Sequence, residues 1–167
     1  RAQELAAAVL SHLSGDSADN VKLIIQAGGI RPLISLLSSD SPKSQASGSA
    51  VLADMTRTSF EIQQTVACEG AVAPLVALIA EKNDLEARSA AAGAILSLSA
   101  GNSETQANLA DAGAIEPLVT LLAAESPDAR RKAAGALASL AVGSASIQDS
   151  ISSAGGAHIP PSPAISR

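Results

Sequence analysis

Arg130-Arg131-Lys132 is the dense basic cluster of this 167-residue chain, so charge-driven recognition is sought there first. Two guanidinium forks and an ammonium in consecutive positions suit a carboxylate-rich peptide or a phosphate, and they equally suit a solvated helix face. Histidine occurs only at His12 and His158, too far apart in sequence to predict a metal site. Cys68 is the single thiol, which excludes an internal disulfide and a Cys-rich metal site. It has no Lys, Arg or His close in sequence to lower its pKa, so an incidental thiol is expected. The pairs Gly28-Gly29 and Gly155-Gly156 do not follow strands, as a phosphate-cradling loop would require. Nucleophilic triads and suitably placed carboxylate pairs are absent as well. No catalytic residue, cofactor or metal is expected, and the chain is read as a binding protein, not an enzyme.

The elements that would position these side chains come from an internal repeat. Ala27-Gly28-Gly29-Ile30-Arg31-Pro32-Leu33 returns as Glu69-Gly70-Ala71-Val72-Ala73-Pro74-Leu75, and again as Ala112-Gly113-Ala114-Ile115-Glu116-Pro117-Leu118. The copies stand 42 and then 43 residues apart. A second block follows each, with Leu52 and Met55, Ile95 and Leu98, and Leu137 and Leu140 in matching places; Leu10 and Leu13 match it too. Ile24, Val66, Leu109 and Ile151 each precede a glycine by four residues.

Each unit reads as a short helix, a glycine turn, a second helix with proline in its first turn, a polar loop and a longer third helix. Leu33, Leu36 and Leu37, like Leu118, Leu121 and Leu122, fall at i, i+3 and i+4 on one helical face. Ser41-Pro42, Asn83 and Ser126-Pro127 are the expected starts of the third helices. Asn83 with Glu86, and Ser103 with Gln106, have capping-box spacing. Gly48, Gly93 and Gly135 fall inside third helices, where each disfavours helix by about 1 kcal/mol relative to Ala. Close helix packing or space for a ligand would compensate.

The organisation follows: 1–14 as the third helix of a partial repeat, full repeats at 17–57, 58–100 and 101–143, and the first helix of a further partial repeat at 144–155. Residues 156–167 carry Pro160, Pro161 and Pro163 and form an extended tail, either covering the solenoid end or untethered. Arg1 in first position and the lack of a basic-then-apolar opening make residue 1 an expected boundary within a longer chain.

A unit of this length, reading A-G-[GA]-[IV]-x-P-L-[IV]-x-L-[LI] and then A-[AV]-[LI]-x-x-[LM], resembles the armadillo repeat, closest in flavour to plant U-box-associated and vacuolar armadillo proteins. The resemblance covers residues 1 to about 155. It implies an all-α fold, a right-handed armadillo-type α-solenoid whose third helices line a concave groove for extended partner segments. In nuclear-import adaptors of this family a Trp and an Asn on that helix hold a basic peptide. Here the Asn-equivalent positions are His12, Asp54, Ser97 and Ser139, and the Trp-equivalent ones are Ala8, Ala50, Gly93 and Gly135. Without aromatic platforms, a Lys-rich peptide gains little beyond charge attraction. The candidate partner-binding residues are therefore His12, Asp54, Ser97 and Ser139 along the stripe, with Arg88, Arg131 and Lys132 nearer its start. Simple solvation of polar positions is the competing explanation.

Composition narrows the partner class. The formal net charge of −5 argues against a nucleic-acid ligand, and Pro, Gly and charged residues break every apolar run before a membrane span is reached. A protein or peptide partner is expected, in a reducing compartment such as the cytoplasm. The aromatic inventory is one residue, Phe60, so Ala, Leu, Ile and Val must build the core. Two functions fit: an interaction scaffold or adaptor, or a structural subunit permanently built into a larger assembly.

Overall fold

Gly28, Gly70 and Gly113 adopt φ of 72°, 93° and 86°, the left-handed conformation in which a Cβ is penalised. These turns fix the architecture. In each, the N–H after the glycine donates back to a buried carbonyl, Gly29 to Ile24 at 2.9 Å, Ala71 to Val66 at 3.3 Å and Ala114 to Leu109 at 3.1 Å. That closes a Schellman-type cap and reverses the chain into the next helix. The computed structural model describes residues 18–57, 59–80 and 82–155. His12, the expected helix at 1–14, His158 and the tail lie outside them.

Ten helices and no strands occur among the described residues. They are α1 (Ala18–Gln26), α2 (Ile30–Leu36), α3 (Pro42–Thr56), α4 (Phe60–Cys68), α5 (Val72–Leu78), α6 (Leu85–Ser99), α7 (Ser103–Asp111), α8 (Ile115–Leu121), α9 (Pro127–Ala141) and α10 (Ala145–Ser153). The order runs as three triads of nine, seven and 15 residues, followed by one more nine-residue helix. Third helices pack side by side, α3 on α6 and α6 on α9, in the most extensive pairings of the fold. The chain is an all-α, armadillo-type solenoid.

Its core is continuous along the stack. Leu52 and Met55, Ile95 and Leu98, and Leu137 and Leu140 are all buried, as are Leu33, Leu75, Leu118 and Leu121 from the second helices. Each such side chain contributes roughly 1.5–3 kcal/mol by leaving water. The lone aromatic, Phe60, is not among them; it is 52% exposed.

Two helix starts differ from the sequence reading. Asp84, not Asn83, caps α6, its Oδ1 accepting from the Glu86 and Ala87 N–H groups at 2.9 and 3.2 Å. Asn83 instead donates Nδ2 to the carbonyls of Ala77 and Leu78 at the end of α5. Likewise Asn102 caps α7 by accepting from the Thr105 N–H at 3.1 Å, which places Ser103 inside the helix. Gln106 then turns away from the expected capping box and donates Nε2 to the Ser99 carbonyl. Both positions hold two adjacent capping residues, and packing of the preceding helix selects one. Ser41 and Ser126 do cap α3 and α9.

The interior glycines divide by neighbour. A Cβ on Gly48 would meet Leu36 Cβ at 2.9 Å and the Leu33 carbonyl oxygen at 3.2 Å, so α2 lies almost on the α3 backbone there. On Gly135 it would meet Leu96 Cδ2 at 3.0 Å, across the α6–α9 seam. Gly93 is looser, with the Lys132 stem passing over it at 3.4 Å.

Candidate functional site: the face of the third helices

The first turns of α3, α6 and α9 border a trough of ≈ 540 Å³ whose lining includes Lys43, Ser47, Ala50, Glu86, Ala90, Asp128 and Lys132. Small residues keep its floor low; the charged side chains stand along its edge. Asp128 is the hub. Lys132 Nζ lies 2.7 Å from its Oδ2, Arg131 Nη2 lies 2.5 Å from its Oδ1, and Ser89 on α6 donates Oγ to Oδ2 at 3.2 Å. The hydrogen bond from Lys132, then that from Arg131, holds the Asp128 carboxyl down at about 2, with Ser89 assisting and partial desolvation opposing. One carboxylate therefore answers two cations at neutral pH, and the turn keeps an excess positive charge.

The sequence candidates are placed as follows. Arg131 and Lys132 share Asp128; Lys132 is the more covered of the two, its stem lying across Gly93. Asp54, Ser97 and Ser139 occupy equivalent places on α3, α6 and α9 and are half-buried. Asp54 Oδ1 accepts from Arg57 at 3.2 Å, and Ser139 Oγ accepts from Ser99 Oγ at 2.9 Å. Arg88 is different. It is buried and donates Nε to the Ile79 carbonyl at 3.2 Å, tying the end of α5 to α6. Gln45 and Arg130, the fourth residues of α3 and α9, likewise reach back to the loop carbonyls of Ser39 and of Ala124 and Glu125. Of the basic cluster, Lys132 lines the trough, Arg131 pairs with Asp128 from outside the lining, and Arg130 serves the loop.

A polar ladder runs alongside that sequence reasoning did not find. Gln63, Gln106 and Gln148 are the fourth residues of α4, α7 and α10, 43 and 42 residues apart. Gln63 donates to the Ser97 and Ala100 carbonyls at 2.9 and 3.2 Å, Gln106 to Ser99 at 3.1 Å and Gln148 to Ala141 at 2.9 Å. Each satisfies orphan carbonyls at the end of a third helix. The recurrence was visible in the sequence, at the same period as the glycines.

No cluster of three or more His, Cys, Asp or Glu side chains suited to a metal occurs among the described residues, and Cys68 is exposed and free. Among those residues no helix is long and apolar enough to cross a membrane.

A stack of three-helix units with glycine turns and a common third-helix face defines a helical-repeat solenoid, a class that exposes long surfaces because each unit packs mainly on its neighbours. Comparison with known proteins is specific. The armadillo/beta-catenin-like repeat matches residues 17–46 and 102–142. An engineered protein of known structure is 32% identical, with a TM-score of 0.86 over 92% of this chain and 63% of its own. A computationally designed armadillo repeat protein for modular peptide recognition is 29% identical, with a TM-score of 0.85 over 92% of this chain and 64% of its own. A designed armadillo repeat protein in complex with the peptide (KR)4 is 29% identical, with a TM-score of 0.82 over 90% of this chain and 62% of its own. Protein Cellulose Synthase Interactive 3 of Arabidopsis thaliana is 34% identical over 93 residues, 56% of this chain. The chain spans only 4% of that plant protein's length, and less than two thirds of each solved structure. The chain thus carries stretches that match the armadillo repeat and folds as an armadillo-type solenoid, a fold that supports protein binding.

Proposed function

We propose that this chain is a protein-interaction scaffold or adaptor that takes an extended partner segment along the face of α3, α6 and α9. The observation that carries the reading is the trough at the first turns of these helices, lined by Asp128 and Lys132, with Arg131 paired to Asp128 from outside the lining. An incoming carboxylate exchanges with Asp128 for donors already held in place, so little side-chain ordering is lost on binding. Asp54, Ser97 and Ser139 continue the contact stripe; His12, outside the described residues, matches them in the sequence repeat. Arg88 does not, because burial and the Ile79 carbonyl occupy it. The designed relative for peptide recognition is in keeping with this use of the face. So is the long plant protein, named for its interaction with cellulose synthase, that contains a similar stretch.

The function is tested by affinity capture with mass spectrometry, comparing the native chain with Arg131→Glu/Lys132→Glu and with Lys82→Glu. The double reversal is expected to lose the native set of partners, whereas Lys82→Glu, in the loop before α6, retains it. Equal losses in two variants that melt like the native chain would rule out the third-helix face.

A further inference from the structure

The second residues of the third helices, Lys43 on α3, Glu86 on α6 and Asp128 on α9, all line the trough. They stand 43 and then 42 residues apart, so a single place in the repeat is filled by one cation and two carboxylates in turn. Among the described residues no ion pair engages Lys43 or Glu86. Asp128, by contrast, is held by both Lys132 and Arg131, two cations on one carboxylate, which leaves the α9 position with a positive charge in excess. Along the trough the unanswered charge therefore runs plus, minus, plus. Packed helices lie ~8–10 Å apart, which puts these charges at intervals of roughly 9 Å.

We propose that the trough receives a polyproline II segment of the partner in which every third residue is charged, in the order acid, base, acid. Polyproline II turns once in three residues with a rise of ~3.1 Å each, so side chains on one of its faces recur at about 9 Å. A β-strand shows the same face every second residue, at about 6.7 Å, and is out of step with the helices by the third charge. An α-helix with its side chains is about 10–12 Å across, too thick for a trough of ≈ 540 Å³ that spans three helices. Glu86 is the selecting charge. A nucleic-acid strand or a wholly acidic peptide is repelled there, and a wholly basic one is repelled at Lys43 and Lys132, whereas an alternating segment is attracted at all three places. This inference rests on the reading of the trough as a partner site and deepens it by naming the partner's charge order and backbone form.

The test uses the full chain at low salt and three dye-labelled synthetic peptides, EPPKPPE, EPPEPPE and KPPEPPK, whose prolines hold the polyproline II form. Fluorescence anisotropy is expected to rank EPPKPPE tightest, about fivefold above each of the others. In Glu86→Lys the order of the first two inverts, and Glu86→Gln makes them equal. Glu104→Lys, the same charge change at an exposed position of α7 outside the trough, leaves the native order. EPKPE, with its charges two residues apart, binds as weakly as the mismatched peptides. Equal binding of the three peptides, binding by none, or an order that Glu86→Lys does not invert would overturn the charge order. Binding of EPKPE as tight as that of EPPKPPE would overturn the polyproline II spacing. An oligothymidylate strand that displaces EPPKPPE better than the unlabelled peptide does would assign the trough to nucleic acid instead. Partner capture by Arg131→Glu/Lys132→Glu judges the trough separately: partners lost there while the peptides fail would keep the site and overturn the segment.

Discussion

Replacing glycine by alanine in the middle of a third helix is expected to change stability with opposite sign at two positions. Helix propensity alone favours alanine at both by about 1 kcal/mol. At Gly93 the added methyl meets Lys132 Cδ, Cε and Cγ at 3.4, 3.6 and 3.9 Å. These are ordinary contacts with a flexible stem, so Gly93→Ala keeps most of the propensity gain and stabilises by roughly 0.5–1 kcal/mol. At Gly48 the methyl lands 2.9 Å from Leu36 Cβ and 3.2 Å from the Leu33 carbonyl oxygen. Neither atom can swing away, because both belong to the framework of α2. Overpacking of this kind costs typically about 1–3 kcal/mol, which exceeds the propensity term. Gly48→Ala should therefore destabilise by about 1–2 kcal/mol. Urea unfolding followed by circular dichroism separates the variants, whose midpoints should move in opposite directions by roughly 0.3–1 M at unchanged slope. If Gly48→Ala is as stabilising as Gly93→Ala, α2 does not approach α3 as described, and glycine at 48 needs another explanation.

Removing the true caps distinguishes adjacent candidates: Asp84→Ala and Asn102→Ala are expected to cost about 1 kcal/mol each, and Ser103→Ala much less, by thermal melting. Gln106→Leu strips the buried Ser99 carbonyl of its side-chain donor and should destabilise by about 1–3 kcal/mol, read from the urea midpoint. Asp128 links stability to pH. Its folded pKa is depressed from 3.8 to about 2, so its contribution is complete above the ordinary carboxylate range and disappears as pH falls through about 2. With half its side chain exposed, solvent screening limits that contribution to under about 1 kcal/mol. The stability difference between the native chain and Asp128→Asn should accordingly be present at pH 7 and shrink between pH 4 and pH 2; a difference that grows on acidification contradicts the pairing.

The repeat was legible because its constraints are severe and local. Gly28, Gly70 and Gly113 occupy backbone conformations that other residues reach only with strain, and the buried Ile24, Val66 and Leu109 anchor each turn. Residue type and spacing alone therefore gave away the turn and the face behind it. Helix starts were less legible where Asn83 precedes Asp84 and Asn102 precedes Ser103, since both members of each pair can cap and long-range packing chooses between them. Arg88 shows a harder limit. Helical phase places a residue around an axis, but a long side chain can fold back along the surface to a carbonyl nine positions earlier in the sequence. Arg131 and Lys132 stand out in the sequence as a basic run; Asp128, which pairs with both, does not, because it also meets Ser89 from another helix.

Residue size across the stack has a mechanical consequence. At the seam between α6 and α9, Gly135 receives the Leu96 side chain and Gly93 the Lys132 stem, so each large group faces a residue without a side chain. Such matching of large to small lets neighbouring third helices approach closely, and the closeness of approach sets the stride from one repeat to the next. A partner that grips two repeats at once is measured against that stride, so enlarging a seam residue such as Gly135 would alter recognition by lengthening a ruler, without touching any side chain the partner contacts.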